Sequence, residues 1–578
     1  MRRAVRVWAP HASGVDLVLA DRRVPMTRDG EHFEAEVDAP DGAEYAFSLD
    51  GGEPLPDPRG VRLPDGPGGR SAFFDSTAFG WTDDAWTGTP LEGAVLYELH
   101  VGTFTPEGTL DAAAGRLDHL VELGVTVVEL LPLAPFPGAH GWGYDGVAPY
   151  AVHEPYGGPE ALQRFVDAAH AHGLGVCLDV VYNHLGPDGN RLPEFGPYLT
   201  DAHGTPWGDA VNLDAPGSDE VRRWVLDNVR QWLEDFHVDG LRLDAVHELH
   251  DDRALHLLEE MSRDVDELAE RTGRLRWLVA ESDRNDPATV TPRGAGEKVG
   301  GLGLHGQWAD DVHHALHVAL TGETQGYYAD FEAPDALATV LRSPFFHTGS
   351  YSTFRGRGHG RPVDAASLPG WRFVASLQTH DQVGNRATGD RLSQLVGPDL
   401  LACGATILLT SPWTPMLFMG EEWGAGTPWQ FFTDHTHPEI AEGTRRGRRA
   451  EFGSHGWAEE DVPDPQDPDT FHRSRLDWSE PAREPHARML AWYRDLIRLR
   501  RATPDLRDGD LSRLDVRWDQ ATGWFVSRRG DHLVLVNLGE RAQRHDGGQV
   551  LLAWGDVATE ASALVVPPRA AAVVRAPL

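Results

Sequence analysis

The chain has 578 residues, of which 40% are hydrophobic and 24% are charged, as in ordinary globular proteins. Acidic residues outnumber basic ones by 89 to 52, and the formal net charge is −37 at pH 7. This excess of negative charge argues against nucleic acids and anionic membranes as partners. The length predicts more than one domain.

Short strands with alternating apolar residues predict a β domain at each end of the chain. Residues 1–88 contain such runs, separated by Asp-Gly and Gly-Gly turns, and predict a small β-sandwich. The alternation returns in residues 501–578, where we expect a second β-sandwich. We interpret Trp8, in the first strand, as core material rather than as a platform for a sugar ring. The first residues lack the apolar stretch of a secretory signal, so we expect a cytoplasmic protein.

Between these ends, residues 89–500 alternate apolar strands with amphipathic helices. The predicted strands are Val95–Leu99, Val125–Leu131, Val176–Val181, Gly240–Leu243, Trp277–Ala280, Leu304–Trp308, Phe373–Leu377 and Met416–Met419. Helices are predicted over Ala112–Leu123, Pro159–His172, Val221–Phe236 and Arg253–Thr272, with a linking helix in Glu480–Arg501. Near-continuous apolar strands are typical of a buried parallel sheet. The α/β pattern therefore predicts a (β/α)₈ TIM barrel with insertions.

Other apolar and acidic stretches fit this architecture. Cys177 and Cys403 lie in apolar runs, which favours a core role over a disulfide or metal site. The most hydrophobic segment, Leu400–Met419, contains Gly and Pro and predicts a buried helix followed by a strand rather than a membrane span. The acidic, Pro-rich stretch Glu459–Asp469 is expected to be a surface loop.

Polar side chains gather at the ends of four predicted barrel strands. They are Asn183 and His184 after the third strand, Arg242 and Asp244 at the fourth, Glu281 after the fifth, and His380 and Asp381 after the seventh. Active sites of such barrels are built at the carboxyl ends of the strands, so these side chains are expected to meet.

Arg242 and Asp244 are expected to act as a pair, because residues two apart in a strand share a face. A neighbouring guanidinium favours the ionised carboxylate, which is the form that a nucleophile requires. The alternative is a buried ion pair that only stabilises the end of the strand. The three other polar segments favour the catalytic interpretation.

These four segments, in this order, resemble those of the α-amylase family, glycoside hydrolase family 13, and the similarity covers about residues 90–480. The resemblance implies that Asp244 is the nucleophile, Glu281 the general acid/base, and Asp381 a third carboxylate that binds and distorts the sugar at the cleavage point. It also implies a substrate-binding set around that sugar: His184, Arg242, His380, Asn183, Trp142 and, as the aromatic platform beneath it, Tyr144. The alternative for Trp142 and Tyr144 is core packing.

The resemblance implies a retaining double displacement through a covalent glucosyl-enzyme. Retention requires carboxyl groups about 5 to 5.5 Å apart. Glu281 must be protonated when the leaving oxygen departs, and a neighbouring carboxylate and apolar surroundings would raise its pKa. We expect no cofactor and no catalytic metal, although some amylases use the position of Asn183 to help hold calcium.

Several stretches resemble one subgroup of the family, which releases trehalose from malto-oligosyltrehalose. They include Tyr97–Thr105, His140–Val147, Asn183–Asn190 and Phe431–His435. The implied reaction is hydrolysis of the α-1,4 bond next to the terminal trehalose. The implied partners are malto-oligosyltrehalose, related α-1,4-glucans and, in the pathway, the synthase that makes malto-oligosyltrehalose.

Three alternatives remain open from the sequence. A 1,4-α-glucan branching enzyme would transfer the glucosyl group to a sugar 6-hydroxyl, and a debranching hydrolase would cleave 1,6 bonds. Branching enzymes usually carry an acidic residue directly after the third carboxylate, whereas Gln382 follows Asp381 here. A glucan-binding scaffold without activity is disfavoured because all three carboxylates and Arg242 are present.

Overall fold

A closed barrel of eight parallel strands forms the centre of the computed structural model, which describes residues 1–294, 300–453 and 461–576. Numbered one to eight along the chain, the barrel strands are Leu96–Leu99, Val127–Leu130, Gly175–Val180, Gly240–Leu243, Trp277–Ala280, Gly306–Trp308, Phe373–Ser376 and Thr414–Phe418. Strand one pairs in parallel with strands two and eight, which closes the barrel. The predicted TIM barrel and each of its eight strands are thus confirmed.

The register of the barrel strands brings polar residues of neighbouring strands to the same level. Glu98 of strand one lies opposite Glu129 of strand two, and Asp179 of strand three lies opposite Arg242 of strand four. All four are almost completely buried. Buried charges need partners, so these positions point to a polar network inside the barrel.

Helices cover the barrel and supply the linking segments. They span Val101–Phe104, Leu110–Ala114, Leu117–Leu123, Gly158–Ala171, Leu192–Phe195, Ser218–Arg230, Leu257–Thr272, Asp310–Thr321, Ala336–Arg342, His380–Gly384, Leu392–Leu395, Pro398–Thr410, Pro438–Gly453, Pro468–Arg473, His486–Ala502 and Pro504–Arg507. A single π-helical turn, Gln231–Asp235, extends the helix that precedes strand four.

The linking helix predicted in Glu480–Arg501 begins at His486 and ends at Ala502. Two other predicted helices differ from the observed ones for reasons that the local structure shows. The segment Ala112–Leu123 is divided in two. Its first helix ends at Ala114, because the next residue, Gly115, is a poor helix former and shares its N–H between two carbonyls. The helix predicted to start at Arg253 starts instead at Leu257, where the ring of His256 accepts a hydrogen bond from the Leu258 N–H and caps the first turn.

The N-terminal region forms two antiparallel sheets. One contains Arg2–Trp8, His32–Asp38 and Thr27–Asp29, and the other contains Arg23–Pro25, Val15–Leu19, Glu44–Leu49, Pro54–Leu55 and Ser71–Ala72. Trp8 is buried, donates its indole N–H to Glu31, and packs edge-on against Tyr198 with ring centroids 5.3 Å apart. Trp8 therefore belongs to the core and is not an exposed platform.

Two antiparallel sheets also form the C-terminal region. The larger contains Leu514–Asp519, Trp524–Arg529, His532–Asn537, Ala570–Arg575 and Gln549–Trp554, and the smaller contains Gln543–Asp546, Ala563–Val566 and Ala558–Glu560. The sequence did not predict the strand Ala570–Arg575. Its residues 570–574 are buried on both faces, so the alternation that marks a half-exposed strand is missing.

The remaining expectations concern apolar and acidic stretches. Cys177 and Cys403 are free and buried. The apolar stretch after residue 397 forms the helix Pro398–Thr410 and barrel strand eight, and none of the described helices is long and apolar enough to cross a membrane. In the acidic stretch, residues 459 and 460 lie outside the described residues. Its end is not a loop, because Asp467 caps the helix Pro468–Arg473.

Candidate active site

A cavity of about 450 Å³ opens at the carboxyl ends of the barrel strands. Asp244, Glu281 and Asp381 all contribute to its wall. Each comes from a different strand end, as the closed parallel barrel requires. A larger cavity, of about 580 Å³, lies between the helix Asp310–Thr321 and the C-terminal sheets and contains none of these groups.

Arg242 is the charged centre of this site. Its Nη1 donates to both carboxylate oxygens of Asp179, at 3.0 and 2.8 Å, and to Oδ1 of Asp244 at 2.8 Å. Its Nη2 lies 3.6 Å from Oε2 of Glu281, and its Cζ lies 4.3 Å from the ring centre of Trp308. One buried guanidinium therefore contacts three carboxyl groups. The pairing of Arg242 with Asp244 follows from their spacing along one strand, whereas the contact with Asp179 depends on the register of two neighbouring strands.

Asp244 is held by Arg242 and by a side-chain amide. Asn183 donates from Nδ2 to Oδ2 of Asp244 at 2.8 Å and to its backbone oxygen at 2.7 Å. Burial would raise the pKa of Asp244, but the charges of Arg242 and His184 and the hydrogen bond from Asn183 outweigh it and lower the pKa below 3.8. Asp244 is therefore ionised in the neutral pH range.

The residue after Asp244 adopts a left-handed backbone conformation. Ala245 has φ 37° and ψ 51°, which costs a non-glycine residue about 1 kcal/mol or more. This turn directs the N–H of Ala245 to Oε2 of Glu281, and the N–H of Val246 to the Glu281 backbone oxygen at 2.9 Å. The strained turn thus couples the two carboxylates. The sequence carries no signal for it, since left-handed residues are usually Gly, Asn or Asp.

Glu281 has the opposite charge preference to Asp244. Enclosure in the cavity wall raises its pKa well above 4.5, and the negative charges of Asp244, Asp310 and Asp381 raise it further, while Arg242 acts against this. Glu281 is therefore protonated where Asp244 is ionised. This direction is the one predicted from a neighbouring carboxylate and apolar surroundings, and Asp310 is a further carboxylate that was not predicted.

Asp381 lies in the first turn of the short helix His380–Gly384, which Thr379 caps through its side-chain oxygen. Oδ1 of Asp381 accepts a hydrogen bond from Nδ2 of Asn385 at 2.6 Å, and the carboxylate is exposed to the cavity. Nδ1 of the adjacent His380 lies 2.6 Å from Oε1 of Glu98 on strand one. Glu98 was not predicted as a site residue, because it lies inside an apolar strand.

The predicted aromatic residues lie together at the mouth of the barrel. The Tyr144 ring stacks on His380 with centroids 5.0 Å apart, and its hydroxyl donates to Oδ2 of Asp179 at 2.6 Å. Trp142 is buried, donates its indole N–H to the Gln430 carbonyl at 3.0 Å, and lines the same cavity. Part of each ring is therefore packed in the core, as in the core-packing alternative, and the rest faces the cavity.

His184 differs from His380 in how its ring nitrogens are used. Nε2 of His184 lies 3.0 Å from the Tyr144 carbonyl, and Nδ1 contacts the side-chain oxygen of Asn183. His184 therefore offers no free ring nitrogen to a sugar hydroxyl. Its ring stacks instead on Trp207, at 4.2 Å between centroids, and half of the Trp207 surface is exposed.

Within the described residues, His203, Asp214 and Asp252 form the one group whose ligand atoms are close enough to hold a metal ion. Nε2 of His203 lies 3.1 Å from Oδ2 of Asp214, and the same oxygen accepts the backbone N–H of Asp252 at 3.0 Å, so hydrogen bonds account for their proximity. None of the three lines the active-site cavity. Asn183, the calcium-associated position of some amylases, is engaged by Asp244.

Comparisons with known proteins show which proteins this chain is similar to. The family model described as "Alpha amylase, catalytic domain" matches residues 70–193, and a domain of unknown function, DUF3459, matches residues 509–573. The malto-oligosyltrehalose trehalohydrolase of Arthrobacter ramosus is 56% identical over all of both chains. That of Rhizobium sp. (strain M-11) is 53% identical over 98% of this chain and 97% of its own length.

A solved structure shows the same architecture throughout. The crystal structure of a protein from Salmonella typhimurium superposes with a TM-score of 0.91 at 37% identity, covering 99% of this chain and 98% of that protein. The barrel and the flanking sheets are thus similar in fold to those of that protein over nearly the whole of both chains. The chain belongs to the malto-oligosyltrehalose trehalohydrolase family, a group of glycoside hydrolases with an alpha-amylase catalytic domain.

Proposed function

We propose that this enzyme hydrolyses the α-1,4-glucosidic bond next to the terminal trehalose of malto-oligosyltrehalose and releases trehalose and a shortened maltodextrin. The observation that carries the proposal is the pair of carboxyl groups on one guanidinium. Asp244 has a lowered pKa and Glu281 a raised one, which is the division of roles that a retaining glycosidase needs. The full-length relatives support the choice of substrate.

In the first step, an oxygen of Asp244 attacks C1 of the glucose at the cleavage point. The bond from C1 to the leaving oxygen breaks while Glu281 transfers its proton to that oxygen, so trehalose leaves as a neutral alcohol. A glucosyl ester on Asp244 remains. Hydrogen bonds from Arg242 and Asn183 hold the attacking carboxylate in a fixed orientation before substrate arrives.

In the second step, Glu281, now a carboxylate, takes a proton from a water molecule, and the water oxygen bonds to C1. The ester bond to Asp244 breaks, and both carboxyl groups return to their starting charges. Two inversions at C1 give a product with the original α configuration. The N–H of Ala245, which donates to Glu281, stabilises the carboxylate form that this step requires.

The other residues of the site bind the sugar in this proposal. Asp381 is exposed to the cavity and would accept hydrogen bonds from ring hydroxyls, and Tyr144 would lie beneath the ring. Trp142, His184 and His380 complete the wall around the same sugar. The proposal also includes a cytoplasmic location and a supply of substrate by malto-oligosyltrehalose synthase.

A branching enzyme is the second candidate, and Gln382 argues against it. The amide oxygen of Gln382 accepts a hydrogen bond from the Thr379 hydroxyl, whose oxygen accepts from the N–H of Asp381. A neutral amide therefore occupies the position in which branching enzymes usually have an acidic residue. The difference favours water over a sugar 6-hydroxyl as the acceptor.

Product analysis on two substrates tests the proposal. Purified protein is incubated with maltoheptaose and with a malto-oligosyltrehalose of comparable length, and products are separated by chromatography. We expect trehalose from the second substrate and much slower hydrolysis of the first. Absence of trehalose together with new 1,6 branches on amylose would support the branching alternative, and cleavage of 1,6 bonds would support a debranching hydrolase.

A further inference from the structure

Glu98 is a buried carboxylate that contacts a residue of the proposed sugar site. It lies on barrel strand one and is 1% exposed. Its Oε2 accepts the backbone N–H of His380 at 2.9 Å, and its Oε1 lies 2.6 Å from Nδ1 of the same residue. One carboxylate thus contacts both the main chain and the ring of His380. Charge-assisted hydrogen bonds of this length are among the stronger ones in proteins.

His380 is held on every other side as well. Its backbone oxygen accepts the indole N–H of Trp429 at 3.0 Å, its ring stacks on Tyr144, and Trp142 meets it edge-on. Nε2 has no hydrogen-bond partner among the residues that the structure describes, and His380 lines the cavity. The one free donor of the ring is therefore available to a ligand.

Several charged or titratable groups face the His380 ring, and they come from barrel strands one to four and from the segments that follow strands one, two and seven. These groups are Glu98, His100, Glu129, Tyr144, Asp179, Arg242 and Asp381. Burial lowers the pKa of His380, and Arg242 lowers it further, but the charge of Glu98 and its hydrogen bond outweigh both, so the pKa is raised above 6.5.

Glu129, on the neighbouring strand, is not the partner of the His380 ring. It lies opposite Glu98 in the sheet, and neither of its carboxyl oxygens is hydrogen-bonded to a described nitrogen or oxygen. Burial and the negative charges of Glu98 and Asp179 raise the pKa of Glu129 to about 8. Glu129 is therefore neutral at pH 7, and Glu98 is the carboxylate that partners the ring.

We propose that Glu98 is a positioning residue that keeps the His380 ring protonated at both nitrogens and aims its Nε2–H at a hydroxyl of the sugar attacked by Asp244. A protonated ring is the stronger donor, while the Glu98–His380 pair as a whole is neutral and does not oppose positive charge that develops at C1. The contact with the sugar rests on the proposed glycosidase function. The charge state of the His380 ring does not depend on that function.

The first test needs no substrate. In protein labelled with [15N]histidine, the short bond to Glu98 should give a far-downfield ring-proton resonance that is absent from His380→Gln. We expect this signal at pH 7 in the wild-type protein, with both ring nitrogens protonated. A neutral His380 ring in wild type at pH 7 would overturn the proposal, whatever the enzyme hydrolyses.

The second test compares two variants that remove a buried carboxyl group without changing its shape. Glu98→Gln should lose the downfield signal, lower kcat by about 10- to 100-fold, and move the alkaline limb of kcat/KM to lower pH. The matched control is Glu129→Gln, whose carboxyl is already neutral at pH 7, and it should keep the downfield signal and leave kcat at pH 7 within about twofold. A Glu98→Gln variant with the wild-type limb would contradict the proposal.

A double-variant cycle separates a role through His380 from a general effect on folding. If Glu98 acts through His380, adding Glu98→Gln to His380→Gln should cause little further loss of kcat, so the two effects should be strongly non-additive. Equal losses in both backgrounds would show that Glu98 acts on the barrel and not on the ring. If wild type releases no trehalose, the proposed function fails, and the cycle is measured on whichever glucan it cleaves.

Discussion

At the residue scale, the chemistry depends on two carboxyl groups that share one guanidinium and yet prefer opposite charges. Asp244 receives hydrogen bonds from Arg242 and Asn183, whereas Glu281 lies 3.6 Å from Arg242 and faces three other carboxylates. The nearer hydrogen bonds stabilise the ionised form of Asp244. Burial, together with the repulsion between carboxylates, favours the protonated form of Glu281.

Glu281→Gln is expected to raise stability at pH 7 while lowering hydrolysis by at least about 10²- to 10⁴-fold. In the folded protein the pKa of Glu281 is raised, so the group stays protonated, whereas in the unfolded chain it ionises above 4.5. Stability therefore falls as pH rises from 4.5 toward the folded-state pKa, and the amide of the variant removes this loss.

Thermal unfolding at two pH values measures this effect. The variant should unfold at a higher temperature than wild type at about pH 7 and at nearly the same temperature at about pH 4, below the unfolded-state pKa. Glu92→Gln, which changes an exposed carboxyl, serves as the control and should show no such difference. Equal midpoints for Glu281→Gln and wild type at the higher pH would count against a protonated Glu281.

Part of the site was predictable because a barrel brings the ends of its strands together. Asp244, Glu281 and Asp381 follow predicted strands, and the structure brings all three to one cavity. Glu98 and Asp179 were not predicted as site residues, because each lies within a strand of otherwise apolar residues. Their partners come from other strands, so only the register of the closed sheet reveals the contact.

At the element scale, the turn after barrel strand four links the strand end to the reacting groups. Ala245 holds a left-handed conformation that lets its N–H reach Glu281. The strain is maintained by the surrounding packing, since Ala245 is 4% exposed.

Ala245→Val is expected to destabilise the protein by about 1–3 kcal/mol, because a β-branched residue tolerates this conformation poorly. The same change should lower kcat, since the N–H would move away from Glu281. Urea unfolding and steady-state kinetics measure the two effects. Ala245→Gly is the matched control, because glycine adopts the conformation freely and should keep most of the activity. Wild-type kcat in the valine variant would show that the turn does not position Glu281.

Elements were predictable where a run of large apolar residues or a polar face marks them, and missed where neither is present. The barrel strands stand out as apolar runs between amphipathic helices. The strand Ala570–Arg575 has neither signal, because its neighbours bury both faces and its first three residues are Ala, which is depleted in strands. The helix break at Gly115 and the late start at Leu257 depend on local hydrogen bonds that a hydrophobic period does not record.

At the scale of the whole molecule, we keep the division into residues 1–88, 89–500 and 501–578 as a proposal. Buried apolar side chains form one continuous cluster that includes Val5, Leu241 and Val534, one from each part. The N-terminal part also contacts the barrel through polar bonds. Nη1 of Arg59 donates to Oδ2 of Asp227 at 2.9 Å and to the Tyr150 hydroxyl at 2.8 Å.

Arg59→Ala is therefore expected to lower the free energy of unfolding by about 1 kcal/mol or less, because the ion pair is partly exposed, and to leave KM unchanged. Chemical denaturation and initial rates measure these quantities. Arg2→Ala, which removes a highly exposed arginine of the same region, is the control and should have no measurable effect. A large rise in KM for Arg59→Ala would instead indicate that the N-terminal sheets contribute to glucan binding.

The most direct test of the account is to trap the covalent intermediate on Asp244. In Glu281→Gln, an α-glucosyl fluoride can still react, because fluoride leaves without a proton, while hydrolysis of the ester lacks its base. Mass spectrometry of the digested protein should then find one glucosyl group on the peptide that contains Asp244. A label on the peptide of Asp381, or turnover with inversion at C1 and no label, would contradict the assignment of Asp244 as the nucleophile.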